Sequence, residues 1–173
     1  GQCDSRWGGM KYDIGGGPNG GMATLCSSSC GYTSFSMIAA GLNRNMSITP
    51  PTVVEKMRGI SISAGQFTRR GYGAASTSEL MNSSFMSYYN LTANKVTAQS
   101  GESFKQALMR ELNSGKAAVI LVPGHYMVLT PSGDGNVVLL DPFSNWADSR
   151  RKSGKQTLDN VWDVYGGITY AIA

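Results

Sequence analysis

Residues 116–142, KAAVILVPGHYMVLTPSGDGNVVLLDP, decide how the chain is built. Three short runs within it, Ala117 to Pro123, Tyr126 to Thr130 and Asn136 to Asp141, are rich in Val, Ile and Leu and too short for ordinary helices, so they read as strands. Ser132-Gly133-Asp134-Gly135 between the second and third is a hairpin turn. An antiparallel sheet therefore occupies this part of the chain, and a last strand is expected from Gly167 to Ala173.

Upstream the period changes. Thr33 to Leu42 carries Phe35, Ile38, Ala39 and Leu42 at helical spacing, with Gly41 and Asn43 as stop signals, and predicts a buried helix beginning at Cys30 or just after. Thr49-Pro50-Pro51-Thr52 precedes Val53 to Arg58, a short helix with a threonine cap and Pro in its first turn. A loop is expected from Gly59 to Gly73, then a third helix from Ser76 or Thr77 to before Tyr88. Val96-Thr97-Ala98 suggests a short strand. Ser100 to Leu112 places Phe104, Leu108 and Leu112 on one helical face, closed by Asn113-Ser114-Gly115. Gly1 to Ser29, rich in Gly, Pro, Asn and Ser, reads mostly as loop. Helices first and an antiparallel sheet afterwards is an α+β pattern, with N-terminal helices packed on a C-terminal sheet, rather than an alternating βαβ one.

At 173 residues the chain is expected to form one domain, residues 1–173, taken from a longer protein. Hydrophobic residues at 41% against 15% charged fit a folded protein, not a disordered one. The longest apolar runs fall far short of the ~20 residues of a membrane span, and no leader-like segment precedes Gln2. The net charge is +4 with pI near 9.0. The basic clusters, Arg69-Arg70 and Arg150-Arg151-Lys152, lack interleaved aromatics, so no nucleic-acid partner is expected. Glycine-rich phosphate loops and HExxH are absent, and no cofactor is expected.

Cys3, Cys26 and Cys30 leave one thiol over whether or not a bridge forms. Cys26 and Cys30 in CxxxC spacing, with one histidine in the chain, do not make a zinc signature, and no metal is expected. Any chemistry that needs an imidazole must use His125. A thiol of ordinary pKa, about 8.5, is mostly protonated at neutral pH and must be biased towards thiolate to act as a nucleophile. At the head of a helix, Cys30 would gain from the N-terminal dipole and from a protonated His125 beside it. With Ser132 to Gly135 as the hairpin centre, His125 comes opposite Asp141 or one residue from it, so Asp141 could orient the imidazole. Singly, a histidine beside strands is more often packed than catalytic, and a cysteine at the head of an apolar helix is usually a small hydrophobe. The order Cys, His, Asp is that of a thiol hydrolase.

Gln2-x-Asp4-x-x-Trp7, Ser29-Cys30-Gly31-Tyr32-Thr33-Ser34, Gly124-His125-Tyr126-Met127-Val128 and Asp141-Pro142 together resemble the C39-like cysteine peptidases of the papain-like superfamily. The resemblance spans nearly the whole chain. It implies a papain-like fold with Cys30 as nucleophile, His125 as general base and then acid, Asp141 as its orienting partner and Gln2 as an oxyanion-hole donor beside the Cys30 backbone N–H. Gln2 stands further from Cys30 than the glutamine of the bacteriocin-leader branch stands from its cysteine. The chain also lacks that branch's transporter segments. The substrate implied is a secreted protein, a leader peptide or a peptide of peptidoglycan, cut by a monomer that is secreted or at the cell surface, of bacterial or phage origin. Peptidoglycan amidase or endopeptidase activity, acyl transfer, and an inactive binding domain of the same fold are the competing readings. Trp146, then Trp7, Trp162 and the pair Tyr88-Tyr89, are candidates for a substrate groove, and Cys26 for a buried thiol or a disulfide partner of regulatory kind.

Overall fold

The computed structural model describes residues 1–143 and 153–173. The chain divides into two compact units, Gly1–Thr92 and Ala93–Ala173.

The first unit begins with a small antiparallel hairpin, β1 (Lys11–Ile14) and β2 (Met22–Thr24), in a stretch that reads mostly as loop from its glycines. The hairpin forms because Tyr12 and Ala23 bury completely while the glycines supply the turn between them. A one-turn helix α1 (Leu25–Ser28) leads into α2 (Cys30–Asn43), as the spacing predicts. Helix α2 buries Tyr32, Phe35 and Ala39. Phe35 meets Phe85 and Tyr89 at ring-centroid distances of 4.6 and 5.4 Å, contacts that add to the hydrophobic gain of burying large rings.

Helix α3 (Pro50–Arg58) starts at the Thr49 cap, with Thr52 answering in a capping box, and ends at Gly59 in the left-handed conformation. The expected third helix is instead two, α4 (Thr77–Leu80) and α5 (Ser83–Tyr88). Asn82 turns extended and its side chain accepts from the Phe85 N–H. A residue that caps well breaks a helix where it sits in the middle of one. The Cys3–Cys26 disulfide ties the start of the unit to α1 across 23 positions, a closure that stabilises by about 3 kcal/mol.

Beneath α2 and α3 lies an ion pair with no exposed side-chain surface. Arg58 Nη1 donates to Asp13 Oδ2 at 3.0 Å, and Arg58 Nε donates to Tyr32 Oη at 2.6 Å. Asp13 also accepts from the N–H groups of Gly71 and Gly73. Strand β1, helices α2 and α3 and the loop before α4 are thus joined at one buried charge pair.

The second unit holds helix α6 (Phe104–Asn113), strands β3 (Ala118–Val122), β4 (His125–Pro131), β5 (Val137–Leu140) and β6 (Gly154–Gln156), helix α7 (Leu158–Tyr165) and strand β7 (Tyr170–Ile172). The strands form one antiparallel sheet in the order β6-β5-β4-β3-β7. Together the two units make a mixed helix-and-sheet chain of the α+β kind. Val96 forms no strand, though its N–H donates to Ala171 O.

Helix α6 is capped by Ser103, which accepts from the Gln106 N–H. It buries Ala107, Leu108 and Leu112 against Ile120, Met127, Leu129, Leu139 and Val161. Each leucine so covered contributes about 2 kcal/mol. Strand β6 and helix α7 were not read from the sequence. Yet Leu158, Val161, Trp162 and Tyr165 have helical spacing, Thr157 caps the start and Gly166 closes the end at φ 74°.

Candidate active site

Cys30 is the first residue of α2, buried, and the free thiol among the described residues. The preceding Ser29 does not cap the helix with its side chain. Its hydroxyl donates back to Leu25 O at 2.5 Å. The first backbone N–H groups of α2 thus receive no acceptor from the Ser29 side chain, which leaves the positive end of the helix dipole unmasked by that hydroxyl.

Gln2 is fully buried in the same unit. Its Nε2 donates to the Cys26 carbonyl at 2.6 Å, and its Oε1 is buried with no partner among the described residues. The amide orientation follows from that contact, since the reverse would set two oxygens against each other. Cys26 is bonded to Cys3, the residue after Gln2, so Cys26 is neither a lone buried thiol nor reduced.

In the second unit, the two-residue loop Pro123-Gly124 joins β3 to β4, with Val122 paired to His125. Gly124 has φ 72°, a conformation that glycine takes without strain. The turn fixes His125 at the first position of β4, on the same face as Met127 and Leu129. Its Nε2 lies 2.7 Å from Asp141 Oδ1, and both side chains are almost wholly buried.

The hairpin register differs by a small step from the sequence expectation. Val128 pairs with Leu140 and Leu129 with Leu139. Continued one step, this register sets Asp141 opposite Met127, two residues along from His125. The pair is diagonal on one face, a spacing that long side chains bridge.

Asp141 is held on every side. Oδ1 also accepts from the Phe143 N–H at 2.8 Å, Oδ2 accepts from the Tyr165 hydroxyl at 2.8 Å, and the Asp141 N–H donates to Ser153 Oγ at 2.9 Å. Burial alone would raise its pKa and is the largest influence, but the hydrogen bonds from His125, Phe143 and Tyr165 together outweigh it and hold the carboxyl below its ordinary value. Asp141 is thus an anion that fixes the imidazole ring. The Phe143 ring stands 5.7 Å from that of His125.

Tyr165 and Ser153 were missed in the sequence because the helix and strand that carry or adjoin them were missed. The Leu158-to-Tyr165 spacing was the signal that would have found the first. Of the groove candidates, Trp162 packs on the core beside Phe104 and Tyr89 is buried in the Phe35 cluster. Tyr88 is exposed and covered by Lys56, whose Nζ lies 3.8 Å from the ring centre. The Trp7 ring is stacked by Arg6. Trp146 and the Arg150-Arg151-Lys152 cluster lie outside the described residues.

No group of three His, Cys, Asp or Glu among the described residues is arranged to hold a metal ion, and no helix among them is long and apolar enough to cross a membrane.

A thiol at a helix start and a histidine fixed by a buried aspartate are the parts of a cysteine hydrolase. The Peptidase_C39 like family model matches residues 18–170. The chain belongs to the Peptidase_C39 like family. The match takes in Cys30, His125 and Asp141 and begins after Gln2. No curated protein and no solved structure matches the sequence. Membership of this family points to cysteine peptidase activity.

Proposed function

We propose that this C39-like protein is a cysteine peptidase that cuts an amide bond through Cys30, His125 and Asp141 on a papain-like fold. The observation that carries this reading is the buried hydrogen bond from His125 to Asp141 at 2.7 Å, in a chain of a peptidase family whose one free described thiol begins a helix. With Nε2 engaged by Asp141, proton exchange with the thiol falls to Nδ1. The mechanism requires Cys30 and His125 to meet in the active enzyme.

The steps follow from those roles. The Cys30 thiolate adds to the carbonyl carbon, and the oxyanion is held by the Cys30 N–H and Gln2 Nε2. His125, protonated, delivers its proton to the leaving amine as the carbon–nitrogen bond breaks. Water, deprotonated by His125, then attacks the thioester and releases the acid and the free thiol. Asp141 keeps the ring aligned throughout.

The Cys3–Cys26 bridge supports an oxidising location, outside the cell or at its surface. The substrate is accordingly a secreted protein, a leader peptide or a wall peptide. The excess of positive charge favours the anionic wall among these, and with it an endopeptidase of peptidoglycan. Incubation with peptidoglycan fragments and glycine-rich leader peptides, with products identified by mass spectrometry, tests the reading. Products carrying one added water in the wild type, and none with Cys30→Ala, are expected. Equal cleavage by Cys30→Ala would sink it, and ligated products in the presence of an amine would point to acyl transfer.

A further inference from the structure

We propose that the Cys3–Cys26 disulfide is a positioning clamp for the oxyanion donor, so that turnover at Cys30 depends on the oxidised state of a pair that never touches substrate. The proposal rests on the role given to Gln2 above.

Three observations carry it. The bridge brackets Gln2 at both of its attachments, since Cys3 follows it in the chain and Cys26 supplies the carbonyl that its Nε2 donates to at 2.6 Å. Gln2 is fully buried, with Oε1 left without a partner among the described residues. A carboxamide that merely filled space would find a partner for its oxygen or be replaced by an apolar side chain, because an unmade buried hydrogen bond is costly. Finally, the other hydrogen bonds of residues 1–7 run within that segment or to its near neighbours, as in Asp4 N–H to Gly1 O, Trp7 Nε1–H to Gly1 O and Gly8 N–H to Asp4 O, and the backbone meets the start of α1 only after it, where Gly8 O accepts from the Cys26 N–H and Met10 O from the Leu25 N–H, both at 2.9 Å. The disulfide is the covalent tie that sets this segment against α1, four positions before the nucleophile.

Nε2 carries two hydrogens. The Cys26 carbonyl takes one and so aims the amide, and the second is the donor for the oxyanion. An anchored donor stabilises developing charge without reorganising, whereas a loose one must be ordered at each turnover. Loss of the bridge therefore lowers kcat and leaves substrate binding largely alone. Reduction has a defined course. A dithiol thiolate attacks one sulfur of the bridge and releases the other cysteine, its second thiol then attacks the reductant sulfur of the mixed disulfide and releases the remaining cysteine, the reductant leaves as a cyclic disulfide, and two electrons and two protons have passed to Cys3 and Cys26 as thiols. Cys30 keeps its thiol throughout, so the reductant that protects the nucleophile also releases the donor.

The test compares wild type, Gln2→Ala, Cys3→Ser with Cys26→Ser, and all three changes together. Hydrogen exchange of the Gln2 side-chain amide, followed by NMR, reads the clamp without any turnover. It is expected to be slow in the wild type and at least tenfold faster in the folded serine pair. Steady-state kinetics with the substrate of the preceding screen reads the consequence. Gln2→Ala lowers kcat about 100-fold, the serine pair lowers it at least tenfold with KM within about twofold, and the triple variant is no slower than Gln2→Ala. Slow exchange retained in the serine pair, or losses that multiply in the triple variant, overturns the proposal. If the serine pair does not fold, the wild type is reduced with a dithiol at neutral pH and measured in the same way. Unfolding there as well would show a structural staple and overturn it too. A wild type that cleaves nothing refutes the peptidase reading, and the exchange measurement still decides the clamp.

Discussion

Asp141 and His125 are diagonal neighbours on one face of the β4–β5 hairpin, joined at 2.7 Å although Met127 stands at the facing position. The offset leaves Asp141 just past the end of β5, where the Phe143 N–H, the Tyr165 hydroxyl and His125 converge on its carboxylate. An acceptor so placed serves fold and ring orientation at once. Asp141→Ala strands the buried His125 and Tyr165 donors and the half-buried Phe143 N–H and is expected to cost about 2–4 kcal/mol in urea unfolding. It lowers kcat about 100-fold or more, whereas Asp141→Asn, which keeps an acceptor oxygen, stays within about tenfold of wild type.

The lowered pKa of Asp141 sets a pH dependence. A carboxyl whose folded pKa lies below the unfolded value of about 3.9 stabilises fully above that value, and the contribution is lost as pH falls through the folded pKa. The stability difference between wild type and Asp141→Asn should be flat from neutral pH to about pH 5 and shrink steadily below about pH 4. Urea midpoints measured across that range check it. A difference that grew on acidification would contradict the assignment of Asp141 as a buried anion.

Arg58 and Asp13 form an ion pair without exposed side-chain surface. Removing one partner leaves the other charged and dry. Arg58→Met or Asp13→Asn should each cost about 3–5 kcal/mol, and the double variant should cost clearly less than the sum. Urea unfolding of the four proteins gives the coupling directly.

Two glycines make opposite predictions. At Gly73, φ is 60° and an added Cβ would stand 2.1 Å from the Gly16 carbonyl oxygen, so Gly73→Ala should destabilise by more than about 3 kcal/mol. Gly41 is exposed within α2, and nothing lies near its added Cβ. Gly41→Ala should stabilise by about 0.5–1 kcal/mol. Thermal melts of the two variants read the signs.

What the sequence disclosed tracks how locally each feature is determined. Helix α2, the β3–β4–β5 strands and the Thr49 cap follow from spacing and turn residues a few positions apart, and they stand where the sequence places them. The β1–β2 hairpin did not show, because glycine-rich chain reads as loop until the burial of Tyr12 and Ala23 is known. The split between α4 and α5 turns on whether Asn82 caps or continues a helix, a choice made by its surroundings. At the site, the residues were legible one by one. Their partners were not, since Tyr165 reaching Asp141, the Cys3–Cys26 bridge and Arg58 against Asp13 all join positions far apart in the chain. The diagonal His125–Asp141 pairing was one step from legible, because hairpin counting fixes register only to within the length of the turn.

The central claim, that His125 activates Cys30, is tested most directly by iodoacetamide labelling of Cys30 at pH 6, read by mass spectrometry in wild type and His125→Ala. An imidazolium beside the thiol favours thiolate, the reactive form. At least tenfold slower labelling in His125→Ala, with the fold intact by circular dichroism, is the result expected. Equal rates in the two proteins would contradict the Cys–His pair and leave the chain as a C39-like domain without the chemistry proposed for it.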